Sequence, residues 1–258
     1  MISLNQLQLY AKQILNDYDK KKPSVLFKNN INITVADAYK IQSLVTELRI
    51  KRGEKVIGYK IGSVQKRTQK KYGFSHPAWG RLWENELHFK GAQLNKNNYS
   101  NPAMEAEFGI KLKRNLNPEN ISLEYILDSI ETIHPIIEIH NLIFYGKKPH
   151  GAEHISNNAI NAGIVCGAGI KKPKVNELTD LKLIYDKKII DEWTNKIWPL
   201  DMISKIEWFV KEQAKMNNII KKNDLILTGA YGPTIPIDDV NLIEVHSSLF
   251  GNVFANFK

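Results

Sequence analysis

The stretch from Pro102 to Leu112 alternates almost without fault. A strand there carries Met104, Ala106, Phe108, Ile110 and Leu112 on one face, with Glu105 and Glu107 side by side on the other. Two carboxylates that close repel unless a proton or a cation lies between them, so the pair suits a hard divalent metal. A plain solvent-facing strand is the bland alternative. A second stretch, Ile133 to Ile139, is apolar on both faces, the pattern of a buried strand, and puts Glu138 in the core. A buried carboxylate needs a partner, either a metal shared with Glu105 and Glu107 or one of the many lysines. Three carboxylates without a matched His or Cys favour Mg²⁺ or Mn²⁺ over zinc. The third feature is Lys60, whose same-face neighbours Gly58 and Gly62 leave space for a ligand. Such a lysine clamps an acid's carboxylate or transfers a proton, unless it merely guards an edge strand against wrong pairing.

The elements that must position these residues are legible in outline. Ser3 caps a helix whose Leu4, Leu7, Ala11, Ile14 and Leu15 share one face, ended by Lys20 to Pro23. Thr34 and Asp37 start a second helix with Ala38, Ile41, Leu44, Val45 and Leu48 as its apolar stripe, running to Gly53. Period-two patterns predict strands at Val56 to Gly62, Met104 to Leu112, Pro135 to Asn141, Gly163 to Cys166 and Asp224 to Thr228. A terminal hairpin is predicted from Leu242 to His246 and Asn252 to Phe257, turning near Gly251. Helical spacing recurs at Ser63 to Lys71, Ser122 to Ile133 and Leu200 to Ile219, the last with Ile203, Ile206, Val210 and Ala214 inward. The class is α+β: a small helical N-terminal part, residues 1–56, followed by a mixed β-rich body, residues 57–258.

Composition narrows the functions available. The chain has 258 residues, 43% hydrophobic and 24% charged, enough for a full core without disulfides. No stretch is long and apolar enough for a membrane span, and the opening residues lack the build of a signal peptide. The lone Cys166 fits a reducing compartment, so the expected location is the cytoplasm. The charge, 36 basic minus 27 acidic giving +9, is spread over short lysine groups such as Lys20 to Lys22, Lys147 and Lys148, and Lys221 and Lys222. With no aromatic-interleaved basic motif, this reads as solvated surface and not a nucleic-acid face. His150 to His154 matches the H-x-x-E-H of inverted zinc peptidases but follows Pro149 and holds a glycine, so the required helix is not expected. Gly167 and Gly169 lack the third glycine of a dinucleotide fingerprint.

Together these residues resemble the 2-keto-4-pentenoate hydratase and 4-oxalocrotonate decarboxylase family of the fumarylacetoacetate hydrolase superfamily. Val35 to Gln42 looks like the family's ADAY-x-IQ helix, Gly58 to Gly62 its G-x-K-x-G strand, and Pro102 to Glu107 its P-x-x-E-x-E strand. Glu138 stands in the place of the third acid, Asn158 and Ala159 resemble D-N-A-S, and Leu227 to Phe257 resembles the closing G-loop and strand pair. The resemblance implies a fumarylacetoacetate-hydrolase-like body and Mg²⁺ or Mn²⁺ on Glu105, Glu107 and Glu138. It also implies Lys60 as catalytic residue, with Asn158, Thr228 and Gly229 binding substrate. It further implies a metal-dependent lyase that hydrates a small unsaturated 2-oxo acid, with decarboxylation of a 2-oxo-3-enedioate as the alternative, in a homo-oligomer. Where the family has an Asp and a Ser, this chain has Ala78 and Ile160, and Asn157 replaces another Asp, so the expected pocket is altered. A non-catalytic member that binds an acidic metabolite is the remaining reading, opposed by retention of Lys60 and all three acids.

Overall fold

The computed structural model describes residues 2–29 and 31–258. Helix α1 (Leu4–Asp19) begins where Ser3 accepts a hydrogen bond from the Gln6 amide, and it buries Leu7, Ala11 and Ile14. Leu4, expected on that face, is instead exposed at the open first turn. In α2 (Val35–Lys51) the Thr34 hydroxyl accepts from the Asp37 amide at 3.1 Å, the expected cap. The two helices pack against each other, and their buried Ile14, Ala38 and Ile41 share a core with Tyr72, Phe74, Ala78 and Ile155 of the body.

The body holds two sheets. Its strands are β1 (Val56–Gly62), β2 (Ala78–Trp83), β3 (Leu87–Phe89), β4 (Ala92–Leu94), β5 (Pro102–Leu112), β6 (Ile130–Asn141) and β7 (Asn161–Cys166). They continue with β8 (Leu178–Tyr185), β9 (Lys188–Ile197), β10 (Leu225–Leu227), β11 (Ile235–Pro236), β12 (Leu242–Ser247) and β13 (Gly251–Phe257). The larger sheet runs β2-β1-β10-β5-β6-β7-β3 with β11 beside β5; the smaller runs β4-β13-β12-β8-β9. Pairs β1/β10, β3/β7 and β4/β13 are parallel and the rest antiparallel, which makes the body mixed as expected. Phe108, Ile110, Ile137 and Ile139 from the large sheet meet Val245, Val253 and Ala255 from the small one in the main core.

Three helical expectations are corrected. Residues 122–133 split into α4 (Leu123–Ser129) and the start of β6, because Ile130 and Ile133 serve a strand as well as a helix and Thr132 is β-branched. Residues 63–71 yield the shorter α3 (Lys66–Tyr72). Residues 200–219 break at Ser204 and Lys205 into α6 (Leu200–Ile203) and α7 (Ile206–Lys215), leaving Ala214 only partly buried. The 150–154 segment lies at α5 (Gly151–Ser156), so a short helix forms where none was expected. Its Glu153 nevertheless accepts from the Tyr145 and Gly146 amides and serves a turn. No helix among the described residues is long and apolar enough to cross a membrane.

Candidate active site

The β5–β6 ladder creates the centre of the site. Glu105 lies directly opposite Glu138, and Glu107 opposite Ile136, so period-two alternation puts all three carboxylates on one face. That face is not open to water: Glu107 and Glu138 are 1% and 0% exposed. β10 stands between β1 and β5 and brings Lys60 alongside. The Lys60 ammonium is 3.2 Å from Glu138 Oε1, so one of the lysines does supply the buried acid's ion pair. The glycines beside Lys60 have other uses than ligand space. A Cβ on Gly58 would meet the Leu225 carbonyl oxygen at 1.9 Å, and one on Gly62 would meet Lys60 Nζ at 2.9 Å. They let β10 approach and give the lysine head its room.

His140, two residues beyond Glu138 on the same face of β6, completes the cluster. Its Nε2 is 3.2 Å from Glu105 Oε2 and 3.4 Å from Glu138 Oε2, without the alignment of a hydrogen bond. Ligand atoms of Glu105, Glu138 and His140 lie within 4.8 Å of one another, a group able to hold a metal. The premise that the three acids have no histidine partner is therefore corrected. The alternation that paired Glu105 with Glu107 also pairs Glu138 with His140, and that was the available signal.

The charges settle one another. Burial pulls the Lys60 pKa down, but the carboxylates of Glu138, Glu105 and Glu107 outweigh it and hold Lys60 as an ammonium. Burial likewise opposes charge on His140, yet Glu138 and Glu105 lift it to about 9. Glu105 and Glu138 stay below the usual carboxylate range: burial acts against this, and the His140 and Lys60 charges overcome it. Glu107 moves the other way, raised by burial and then by the charge of Glu138. Among the described residues, no hydrogen-bond partner reaches Glu107 Oε1 or Glu138 Oε2.

The loop after β10 closes over the acids. The Gly229 amide donates to Glu107 Oε2 at 3.0 Å, and the Thr234 hydroxyl donates to Glu105. Thr228 is buried and donates to the Phe108 carbonyl. Asn158 is also engaged with backbone: its side chain accepts from the Arg81 amide at 2.7 Å and donates to the Arg81 carbonyl at 2.8 Å. Asn158, Ala159 and Ile160 have φ of 57°, 51° and 58°, a left-handed turn built without glycine. That turn delivers Ile160 to a cavity of about 470 Å³, whose wall includes Lys60, Glu105, His140, His154 and Thr234. Ala78, by contrast, is buried in the core shared with α1 and α2 and does not line this cavity, although its strand partner Gly62 does. His154 is buried among Tyr72, Phe74 and Phe144, and burial followed by the Lys60 and His140 charges keeps it neutral.

No family model matches the chain. A 2-keto-4-pentenoate hydratase of Paraburkholderia xenovorans (strain LB400) is 23% identical over 229 residues, which span 88% of this chain and 85% of that one. Among solved structures, 4-oxalocrotonate decarboxylase from Pseudomonas putida G7, complexed with magnesium and adipate, superposes with a TM-score of 0.87. The match covers 100% of this chain and 99% of that one at 18% identity. Fumarylpyruvate hydrolase from Pseudomonas aeruginosa, in complex with Mn²⁺ and pyruvate, gives a TM-score of 0.60 over 77% of this chain and 88% of that one at 11% identity. The family resemblance read from the motifs holds over most of the chain, and the body has the fumarylacetoacetate hydrolase fold.

Proposed function

We propose that the chain is a divalent-metal-dependent lyase acting on a small unsaturated 2-oxo acid, with Mg²⁺ or Mn²⁺ held by Glu105, Glu107 and Glu138. The observation that carries this reading is the meeting of three carboxylates and a buried ammonium on one sheet face, where Glu105 and Lys60 line the cavity. The donor set fits a hard cation: all are oxygen atoms, and Glu107 Oε1 and Glu138 Oε2 have no N–H of their own. When bound, such a cation draws electron density from a 2-oxo group and so favours enolisation.

The chain's own groups supply the rest. Lys60, held as an ammonium, binds the acid's carboxylate and carries at Nζ the proton that a dienol takes on carbon. Gly229 and Thr234 fix the Glu107 and Glu105 carboxylates, and Val64 and Ile160 make part of the cavity wall apolar. Hydration is the main reading, in line with the hydratase relative. Decarboxylation is favoured by one observation: with Ala78 in the core and Ile160 on the wall, neither position offers an acid or hydroxyl for a water. The working unit is proposed to be a cytoplasmic homo-oligomer, supported by the exposed Leu178, Ile189 and Ile197 on the β8–β9 edge. The test is exchange of the C3 protons of pyruvate or 2-oxobutanoate in deuterium oxide. Metal-dependent exchange lost in Lys60→Ala supports the reading, and no exchange in metal-loaded protein sinks it.

A further inference from the structure

The two oxygens of Glu138 are treated unequally. Lys60 Nζ stands 3.2 Å from Oε1, and the side-chain amide of Asn161 donates to the same atom at 2.8 Å, whereas Oε2 has no hydrogen-bond partner. His140 Nε2 is 3.4 Å from Oε2 but out of line for a bond. A carboxylate oxygen has two lone pairs, so Oε1 is filled and Oε2 is bare. Asn161 is itself 1% exposed, and the backbone is arranged to aim it. Ile164 of β7 lies opposite Glu138, so strict alternation would turn Asn161, three residues earlier, to the other face of the sheet. A bulge reverses this. Gly163 pairs with Ile139 but Asn161 pairs with His140, which leaves Ala162 over and turns Asn161 onto the face of the acids. The left-handed run Asn158 to Ile160, tied to the Arg81 backbone through Asn158, leads straight into the bulge. A β-branched residue such as Ile160 disfavours that φ, so the surroundings hold the turn in place.

We propose that Asn161 is a positioning residue that selects the cation: by filling Oε1 together with Lys60, it leaves Glu138 a single oxygen with which to ligate. The inference rests on the cation site proposed at Glu105, Glu107 and Glu138. Mg²⁺ demands a near-octahedral shell and takes one oxygen from each carboxylate, whereas Ca²⁺ has a larger, looser shell that accepts both oxygens of one carboxylate. A Glu138 confined to Oε2 therefore favours the smaller ion. Lys60 could not impose this alone, because its ammonium rides on a flexible stem with rotatable donors. The amide of Asn161, on a short side chain fixed by the bulge, can.

Calorimetry on metal-stripped protein, titrated with Mg²⁺ and separately with Ca²⁺, tests this without any turnover. Wild type should bind Mg²⁺ at least as tightly as Ca²⁺. Asn161→Leu, close in bulk and without a donor, frees Oε1 to join the shell. It should lose about tenfold in Mg²⁺ affinity, as removal of a ligand's hydrogen-bond partner does, while Ca²⁺ affinity holds within about threefold or rises. An unchanged ratio of the two affinities overturns the inference, and so does an equal loss for both ions, which would mark Asn161 as merely structural. If the variant does not fold, the wild-type order decides, and Ca²⁺ bound more tightly than Mg²⁺ overturns the selection. Failure of wild type to bind either ion overturns the cation site itself and this inference with it.

Discussion

Replacing Lys60 by Met keeps the side chain's bulk and removes its charge. In the protein without metal, this strips Glu138 of a partner at 3.2 Å in a place where lysine and glutamate are 2% and 0% exposed. Breaking a buried pair by removing one member costs about 3 to 5 kcal/mol, because the remaining charge stays desolvated. For a chain of this size each kcal/mol moves the midpoint by roughly 2 to 4 °C, so Lys60→Met should melt about 6 to 20 °C below wild type in EDTA. His140 limits the loss by remaining positively charged beside the same carboxylates. A divalent cation at a hundred times its Kd adds about 2.7 kcal/mol to any state that binds it. The variant, with one fewer positive charge facing the acids, should bind it more tightly, and so gain more than wild type. Thermal denaturation of both proteins in EDTA and in excess Mg²⁺ measures the two gaps. A variant within about 2 °C of wild type in EDTA would falsify the ion pair's role, and equal gains with Mg²⁺ would refute the placing of the cation beside Lys60.

Other substitutions test neighbouring parts of the argument. Glu107→Ala should weaken Mg²⁺ binding at least about tenfold by calorimetry; unchanged affinity removes Glu107 from the donor set. Ala78→Asp should destabilise by about 2 kcal/mol or more, since it puts a carboxylate into an apolar core; a stable variant with faster hydration shows that the cavity reaches residue 78. Burial first of all depresses the pKa of His134, although its ring is bonded to the Gly167 carbonyl and Thr132. Its contribution to stability is then full above the ordinary histidine value near 6.5 and lost as pH falls below it. A His134→Asn variant should show a flatter fall in melting temperature between pH 7.5 and 5, and identical slopes would contradict this. The +9 charge should give no submicromolar binding to random duplex DNA at physiological salt, as read by fluorescence anisotropy.

The sequence made β5 legible because its alternation is nearly perfect, and with it the shared face of Glu105 and Glu107. β2 left no such mark: all six of its residues are buried, so neither face carries a polar signal. The β8–β9 hairpin hid behind its lysines and aspartates, which sit on a solvent face where polar residues say little about structure. His140 escaped because the strand around it reads as an apolar run, and a lone histidine in such a run resembles core filling. The space attributed to the glycines beside Lys60 could not be assigned without knowing that β10, some 165 residues later, lies against Gly58. Asn158, Thr228 and Gly229 show a different limit: a motif gives proximity to a site, whereas only the structure says whether the side chain or the backbone does the bonding.

The placing of β10 between β1 and β5 fixes an order of assembly. β5 and β6 form the longest ladder, and each can find the other as soon as both are synthesised, but that pairing sets Glu105 directly against Glu138. Like charges across a ladder oppose pairing. The lysine that relieves them was made earlier still, yet the strand that docks it is held to β5 only through residues 225–227. On a ribosome, the hairpin therefore has only the His140 charge beside its acids until about the last eighth of the chain docks Lys60, unless protons or a cation stand in. A nascent chain halted before Leu225 should hold this hairpin loosely and tighten it when the pH is lowered or a divalent ion is added.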